Sequence, residues 1–228
     1  MTAPQRGGDP IVWFDFGGVL SPPIEDLFTR YEEVTGIRVA ALQRAMASVA
    51  TARGLPTLAP VELALIDEHT WVRELHAALS AEDPGIDLSR SELDFGRQWF
   101  TGHEVNGGMR DFALELAAAG VRVGVLSNNV VEWEPYWRSM IDLDHVLTDL
   151  VDSSRVGVRK PDRAIFELAA ERTASDPGRS VLIDDLPENC AAASEVGWHT
   201  VRFTSTEQAI GDVRDILAGL GVLAGARQ

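Results

Sequence analysis

The sequence predicts an α/β protein, a Rossmann-like doubly wound parallel sheet with an inserted all-helical cap domain. Across residues 104–228, short β-favouring apolar runs alternate with helical patterns, which is typical of parallel strands connected by helices. The stretch 22–103 instead has helical spacing throughout and no strand pattern. We therefore predict a core domain of residues 1–21 and 104–228 and a helical cap domain of residues 22–103.

The predicted elements follow from local signals. An apolar run at 11–14 ends in Asp15 and a Gly17-Gly18 turn, as a buried parallel strand would. Gly120 and Gly197 end helical patterns, and Pro161 begins one. The remaining core elements are a helix at 109–119, strands at 121–126 and 145–150, a helix at 161–172, a strand at 180–183, a helix at 188–196, a strand at 199–203 and a helix at 206–220.

Composition and charge restrict the possible functions. The 228 residues are 45% hydrophobic and 24% charged, which is typical of a globular protein with a substantial core. A formal net charge of −15 without any basic run argues against nucleic acid as a partner. A small phosphorylated substrate is compatible with that charge, because a few fixed cations and a metal dominate the field inside a pocket.

The cysteine content and hydropathy pattern indicate a cytoplasmic protein. Cys190 is the one cysteine in the sequence, so no internal disulfide forms, and we interpret it as a packing residue. Residues 1–10 lack the apolar core of a signal peptide, and no apolar run approaches the ~18 residues that span a bilayer. We expect no membrane contact, and either a monomer or a homodimer.

Polar residues follow three of the predicted strands. They are Asp15 after the first, Ser127 and Asn128 after the second, and Asp184 and Asp185 after a later one, with Lys160 in a loop before the last pair. Ligands of parallel α/β sheets bind at the carboxyl ends of the strands, so we expect these side chains to meet there. Each residue alone has a plainer interpretation, as a helix cap, a turn former or a surface lysine.

Four short segments resemble the sequence motifs of the haloacid dehalogenase superfamily. They are Asp15-Phe16-Gly17-Gly18-Val19-Leu20, Ser127-Asn128, Lys160-Pro161 and Asp184-Asp185. The last motif, with Glu188-Asn189 and Gly197 after it, is similar to the branch containing sugar 1-phosphate phosphatases and the N-terminal domain of soluble epoxide hydrolases. That branch has a helical cap in the position of residues 22–103.

The resemblance implies a Mg²⁺-dependent phosphohydrolase that acts on a small phosphorylated metabolite. Asp15 would be the nucleophile that forms an aspartyl phosphate, with Ser127 and Lys160 neutralising charge on the phosphoryl group. The implied phosphate-binding residues are Gly17, Gly18, Ser127, Asn128 and Lys160. Because Mg²⁺ prefers oxygen ligands, the implied metal ligands are Asp15, the Gly17 carbonyl, Asp184 and Asp185.

Gly17 departs from the pattern of most phosphatases in this superfamily, which carry a second aspartate at that position. Losing a general acid/base typically costs on the order of 10²–10⁴ in rate. Relatives in the sugar 1-phosphate branch also have glycine there. The candidates to supply the proton are Glu25, Asp26, His103 and Glu104, each of which is otherwise a solvated or capping residue.

Two alternatives to the phosphohydrolase remain open. A 2-haloacid dehalogenase would not be handicapped by Gly17, because halide departure needs no proton, but the Asp184-Asp185 pair argues against that branch. A non-catalytic binding or regulatory protein would use the cap as an interaction surface. Within the cap, a possible substrate pocket comprises Trp71, Arg73, His76, Trp99 and Phe100, although we favour core packing for Trp71 and Trp99.

Overall fold

Five parallel strands form one sheet in the computed structural model, which describes residues 8–222. The strand order is β3-β2-β1-β4-β5. The strands are β1 (Ile11–Phe14), β2 (Arg122–Ser127), β3 (Leu147–Asp152), β4 (Ser180–Asp184) and β5 (His199–Arg202). The predicted α/β class is confirmed, and the predicted core segments at residues 1–7 and 223–228 lie outside the described range.

Eleven α-helices accompany these strands within residues 8–222. Six lie between β1 and β2: α1 (Ile24–Thr35), α2 (Val39–Thr51), α3 (Ala59–Glu62), α4 (Glu68–Glu82), α5 (Phe95–Phe100) and α6 (Gly107–Ala118). The others are α7 (Glu134–Ile141), α8 (Ser153–Val156), α9 (Arg163–Thr173), α10 (Pro187–Glu195) and α11 (Thr206–Gly219). None of the described helices has the length and apolar character needed to cross a bilayer.

Most element boundaries differ from prediction by one or two residues, and two of these differences have an evident local cause. The strand predicted at 145–150 lies at Leu147–Asp152, because its pairing with β2 continues until Asp152 faces Ser127. The helix predicted to begin at residue 161 begins at Arg163, since the Asp162 carboxylate accepts a hydrogen bond from the Ala164 amide as its N-cap. The first of these shifts places Asp152 beside Ser127 at the strand tips.

Helices cover both faces of the sheet. Alternate residues of β1 point in opposite directions, so Val12 and Phe14 belong to one apolar cluster while Ile11 and Trp13 belong to another. The first cluster includes residues of α6 and α11, and the second includes residues of α9 and α10. This three-layer packing confirms the doubly wound prediction.

The position of β1 in the sheet determines where a site can form. β1 lies between β2 and β4, so the chain leaves β1 toward one side of the sheet and later returns to the other side. Ligands of open α/β sheets bind at such a reversal of strand order, outside the carboxyl ends of the strands. Asp15, directly after β1, lies at this point.

The helices between β1 and β2 have an aromatic core that continues onto the sheet domain. Phe95 stacks on Trp99 at 5.2 Å between ring centroids and on Trp133, which follows β2, at 5.6 Å. The fully buried ring of Trp71 contacts Phe95 and Trp133 edge-on. Trp71 and Trp99 are thus packing residues, as the sequence predicts. The division of the chain into separate core and cap domains stays a prediction.

The other three residues of the predicted cap pocket have different environments. Phe100 is buried against Phe16 and Trp133, so it is also a packing residue. His76 is half-buried and its Nε2 lies 2.8 Å from Ser91 Oγ. Arg73 is exposed on α4. Three of the five residues are thus buried in packing contacts, one is half-buried and one is exposed.

Candidate active site

Asp15 extends the pairing of β1 with its neighbours by one residue and is buried where the strand order of the sheet reverses. Its amide donates to the Ile183 carbonyl of β4 at 2.9 Å, which fixes the backbone between the two neighbouring strands. Its Oδ1 accepts a hydrogen bond from the Phe16 amide at 2.7 Å. Oδ2 accepts no hydrogen bond from the part of the chain that the structure describes, so one carboxylate oxygen is held and the other is free to react.

Lys160 joins the tips of β1 and β4. Its ammonium group lies 2.9 Å from Asp15 Oδ1 and 2.6 Å from Asp184 Oδ2, and only 1% of the side chain is exposed. Although burial alone would lower the pKa of Lys160, the two carboxylates raise it above its ordinary value. The ammonium group is therefore a permanent positive charge beside the Asp15 carboxylate.

Asn128 holds the backbone of Lys160. The Asn128 Nδ2 donates to the Lys160 carbonyl at 2.9 Å, and the Lys160 amide donates to Asn128 Oδ1 at 2.8 Å. The Asn128 side chain, which we predicted to bind phosphate, is thus occupied in positioning Lys160. Its phosphate contact stays a prediction for the backbone amide. Ser127 is buried at the tip of β2, and its phosphate-binding role stays a prediction as well.

Asp184 is fully enclosed by donors. Its Oδ1 accepts from the Leu186 amide at 3.0 Å and from Asn189 Nδ2 at 2.9 Å, while Oδ2 accepts from Lys160. Asn189 is buried in α10, and the sequence pattern does not single it out as a site residue. Its sequence signal is weak, because an asparagine side chain four residues after Asp185 is not by itself a nucleophile, an acid or a base.

Asp185 differs from Asp184 in having no such partners. Its carboxylate is partly exposed and accepts no hydrogen bond from another residue within 8–222. Gly18 provides the room for it, since a Cβ atom there would lie 2.6 Å from Asp185 Oδ2, and its φ of +71° also favours glycine. The Gly18 amide donates to Ser21 Oγ at 2.9 Å, so its predicted phosphate contact has a competing partner.

The three carboxylates are arranged as a cation site would require. Oxygen atoms of Asp15, Asp184 and Asp185 all lie within 4.8 Å of one another. Lys160 is the one ammonium in contact with this trio among the described residues, so two negative charges remain uncompensated. A hard divalent cation with oxygen ligands fits this donor set in both charge and chemistry. The role of the Gly17 carbonyl as a further ligand stays a prediction.

The carboxyl groups are costly to ionise without such a cation. Burial raises the pKa of Asp15 to about 7; Lys160 opposes this shift and Asp184 adds to it. Burial and the negative charge of Asp184 also raise the pKa of Asp185 to about 6. Both shifts have the direction that a bound divalent cation would reverse.

Gly17 has ordinary extended backbone angles, with φ −63° and ψ 123°, so no special conformation demands glycine. A Cβ atom there would lie 3.8 Å from Ile24 Cδ1 and 4.0 Å from Asp15 Oδ2, which is ordinary contact. A side chain at this position would thus reach the free oxygen of the Asp15 carboxylate. The absence of a second aspartate is a change of chemistry and not a packing requirement.

The four candidate proton donors divide into two groups. Glu25, at the start of α1, is exposed, and its negative charge contributes to the raised pKa of Asp185. His103 and Glu104 line a separate groove of about 640 Å³ beside Tyr136. Asp26 acts electrostatically on His103, whose pKa is lowered mainly by burial. Glu25 is therefore the candidate with an electrostatic link to the carboxylate cluster.

Cys190 is a packing residue, as predicted. Its thiol is buried in α10, with Sγ 3.5 Å from the Asp184 carbonyl oxygen. Burial, reinforced by the charge of Asp184, raises the thiol pKa to about 11. A thiol held in its neutral form is a poor nucleophile.

Curated relatives of this chain include enzymes that act on phosphate esters or epoxides by name. The pig bifunctional epoxide hydrolase 2 is 27% identical over 214 residues, which cover 89% of this chain and 38% of that protein. The glyceraldehyde 3-phosphate phosphatase of Methanothermobacter thermautotrophicus is 32% identical over 95 residues, covering 40% of this chain and 41% of the phosphatase. The matched regions span less than half the length of either relative.

Solved structures share the fold. A HAD family enzyme from Bacteroides thetaiotaomicron, in complex with magnesium and inorganic phosphate, has a TM-score of 0.59 at 18% identity, covering 85% of this chain and 93% of that one. The L-2-haloacid dehalogenase from Xanthobacter autotrophicus, with chloropropionic acid covalently bound, has a TM-score of 0.62 at 15% identity, covering 93% and 84%. The family model of haloacid dehalogenase-like hydrolases matches residues 11–197. With this match over most of its length, the chain belongs to the haloacid dehalogenase-like hydrolase family.

Proposed function

We propose that this hydrolase is a Mg²⁺-dependent phosphohydrolase that acts on a small phosphorylated metabolite through an aspartyl-phosphate intermediate. The observation that carries the proposal is the cluster at the tips of β1 and β4. There, a buried Asp15 contacts Lys160, and the Asp185 carboxylate accepts no hydrogen bond from another residue of the described range 8–222. The named phosphatase relative supports the class of substrate.

In the proposed reaction, the Asp15 carboxylate attacks phosphorus as the bond to the leaving oxygen breaks. Water then hydrolyses the acyl phosphate, which releases inorganic phosphate and restores the carboxylate. The Lys160 ammonium neutralises charge that develops on the phosphoryl oxygens, and the Ser127 hydroxyl donates to one of them. When bound, Mg²⁺ would supply further positive charge to those oxygens from ligands provided by Asp15, Asp184, Asp185 and the Gly17 carbonyl.

The proposed metal ligands differ in how many hydrogen bonds their oxygen atoms already accept. Asp184 already accepts hydrogen bonds at both oxygens, whereas Asp15 Oδ2 and the Asp185 carboxylate have no hydrogen bond to another described residue. We therefore assign the strongest ligand roles to Asp15 and Asp185. Asp184 contributes mainly by orienting Lys160.

A substrate screen tests the proposal. The purified protein is incubated with a panel of phosphorylated metabolites in Mg²⁺ and in excess chelator, and released phosphate is measured. We expect phosphate release from at least one substrate in Mg²⁺ and none in chelator. Equal rates under both conditions would remove the metal from the mechanism.

Dehalogenation is the second candidate, and Gly17 is the observation that favours it, because halide departure needs no proton. The fold likeness to the Xanthobacter dehalogenase does not decide between the two, since the magnesium-bound Bacteroides enzyme has the same fold. Chloride release from 2-chloropropionate in chelator, without phosphate release from any ester, would establish the dehalogenase. The uncompensated Asp185 carboxylate argues for the phosphatase.

Gly17→Asp should increase the rate on poor leaving groups. Without a proton donor at this position, we expect anomeric sugar phosphates, aryl phosphates and diphosphates to react faster than alkyl esters such as glycerol phosphate. The introduced carboxyl group would lie near Asp15 Oδ2, where the structure has room for its Cβ. We expect the alkyl-ester rate to rise by about 100-fold and the aryl-ester rate to change less.

The matched control for this experiment is Gly17→Asn, which has the same shape and cannot transfer a proton as an acid. We expect it to leave the difference between the two ester classes intact. No dependence of rate on leaving-group acidity in the wild type, together with no gain in Gly17→Asp, would mean that another residue already supplies the proton. Glu25 would then be substituted first, because its negative charge contributes to the raised pKa of Asp185.

A further inference from the structure

A buried glutamate of the helical insert, which comprises helices α1 to α5, contacts the loop that carries Lys160. Glu62, the last residue of α3, has 8% of its side chain exposed, and its Oε2 lies 2.7 Å from Arg159 Nε. Arg159 directly precedes Lys160 in the loop between α8 and α9. An ion pair therefore links the insert to the loop that carries the ammonium group of the candidate site.

The same turn of α3 also holds the loop after β2. The Glu62 backbone carbonyl accepts a hydrogen bond from Ser153 Oγ at 2.6 Å. That hydroxyl in turn accepts from the Asn129 amide at 3.1 Å, one residue after Asn128. Ser153 and Arg159 thus contact Glu62 directly, and Asn129 is linked to it through the Ser153 hydroxyl.

Burying the negative charge of Glu62 costs free energy, which its contacts with positive groups must offset. Burial raises the pKa of Glu62, and the positive charges of Arg159 and Lys160 act in the opposite direction. A buried ion pair is often no more stabilising than apolar side chains of the same size, although losing one partner is strongly destabilising. Such a pair restricts geometry, because each charge remains favourable only while its partner is in place.

From these contacts we propose that Glu62 is a positioning residue that holds Lys160 against Asp15 and Asp184 by fixing Arg159. Asn128 secures the Lys160 backbone from the β2 side, and Glu62 secures the adjacent residue from the insert side. The packing of the insert against the rest of the chain thereby determines the position of the Lys160 ammonium group, which faces the phosphoryl group in the proposed reaction. The inference rests on the proposed function for its kinetic consequence, and not for its structural one.

Glu62→Gln tests the inference, since it preserves shape and removes the charge. We expect kcat for phosphate release to fall about 10- to 100-fold, because small displacements of a group at the reacting centre have effects of this size. KM should change less, because the Lys160 charge matters most in the transition state. In crystal structures of the metal-free variant, Lys160 Nζ should leave contact with Asp15 Oδ1.

Two further variants separate positioning from stability. Glu74→Gln is the matched control, because Glu74 pairs with Arg53 at 2.7 Å entirely within the insert; its kcat and Lys160 position should equal those of the wild type. The double variant Glu62→Gln/Arg159→Gln removes the positive charge that Glu62→Gln leaves without its partner. We expect it to recover thermal stability relative to Glu62→Gln without recovering kcat.

The outcomes distinguish this inference from the proposed function. An unmoved Lys160 in Glu62→Gln, or a kcat that returns with stability in the double variant, would overturn the positioning role. If the wild type releases no phosphate from any substrate, the proposed function fails. In that case, the Lys160 position in Glu62→Gln and Glu74→Gln still decides the inference by itself.

Discussion

Asp15→Asn should abolish hydrolysis, with a fall in kcat on the order of 10⁴–10⁶, because an amide cannot form the covalent intermediate. The fold should persist. Lys160, which lies 2.6 Å from Asp184, should keep this contact when the Asp15 charge is lost, and the buried amide avoids the cost that raises the pKa of Asp15. Steady-state phosphate release and thermal unfolding of the two proteins measure both expectations.

Trapping experiments identify the covalent residue directly. Beryllium fluoride should form a complex with the wild type in Mg²⁺ and not with Asp15→Asn. The control is Cys190→Ser, which should keep nearly full activity because the buried thiol has a pKa of about 11 and no nucleophilic role. Turnover retained in Asp15→Asn would refute the assignment of the nucleophile.

Asp185→Asn should remove the Mg²⁺ dependence together with the activity. We expect kcat to fall by on the order of 10²–10³, because the charge stabilisation that a metal supplies is worth several kcal/mol. Isothermal titration of the metal-free protein with Mg²⁺ should show weaker binding. Full activity in this variant, or Mg²⁺ affinity equal to that of the wild type, would contradict the ligand assignment.

The same substitution should stabilise the metal-free protein. The pKa of Asp185 is raised from 3.8 to about 6, so the folded state binds more protons and loses stability as pH rises through that window. At neutral pH, we expect Asp185→Asn to gain about 1 kcal/mol in free energy of unfolding, a value reduced for solvent screening of the partly exposed group. The gain should vanish below about pH 3.8. Asp215→Asn on the exposed side of α11 is the control and should show no such gain.

The elements and the candidate site were predictable because their signals are local. Apolar β-favouring runs, helix-ending glycines and prolines encode the strands and helices within a few residues of each position. Polar residues after the strand ends then predict a cluster, since parallel strands present their carboxyl ends at one edge. Asp15, Lys160 and Asp184 meet there as expected, with Asp185 beside them.

The tertiary structure decided which partner each charged or polar group has. The Asn128 amide holds the Lys160 backbone, Asn189 holds Asp184, and Glu62 pairs with Arg159 across 97 positions of sequence. No local pattern predicts such pairs, because a buried polar group requires a partner from whichever segment packs against it. By itself the sequence determined the fold class and the residues of the candidate site. Their pairing depends on how distant segments pack, and this packing determines the charge and the position of each group in the candidate site.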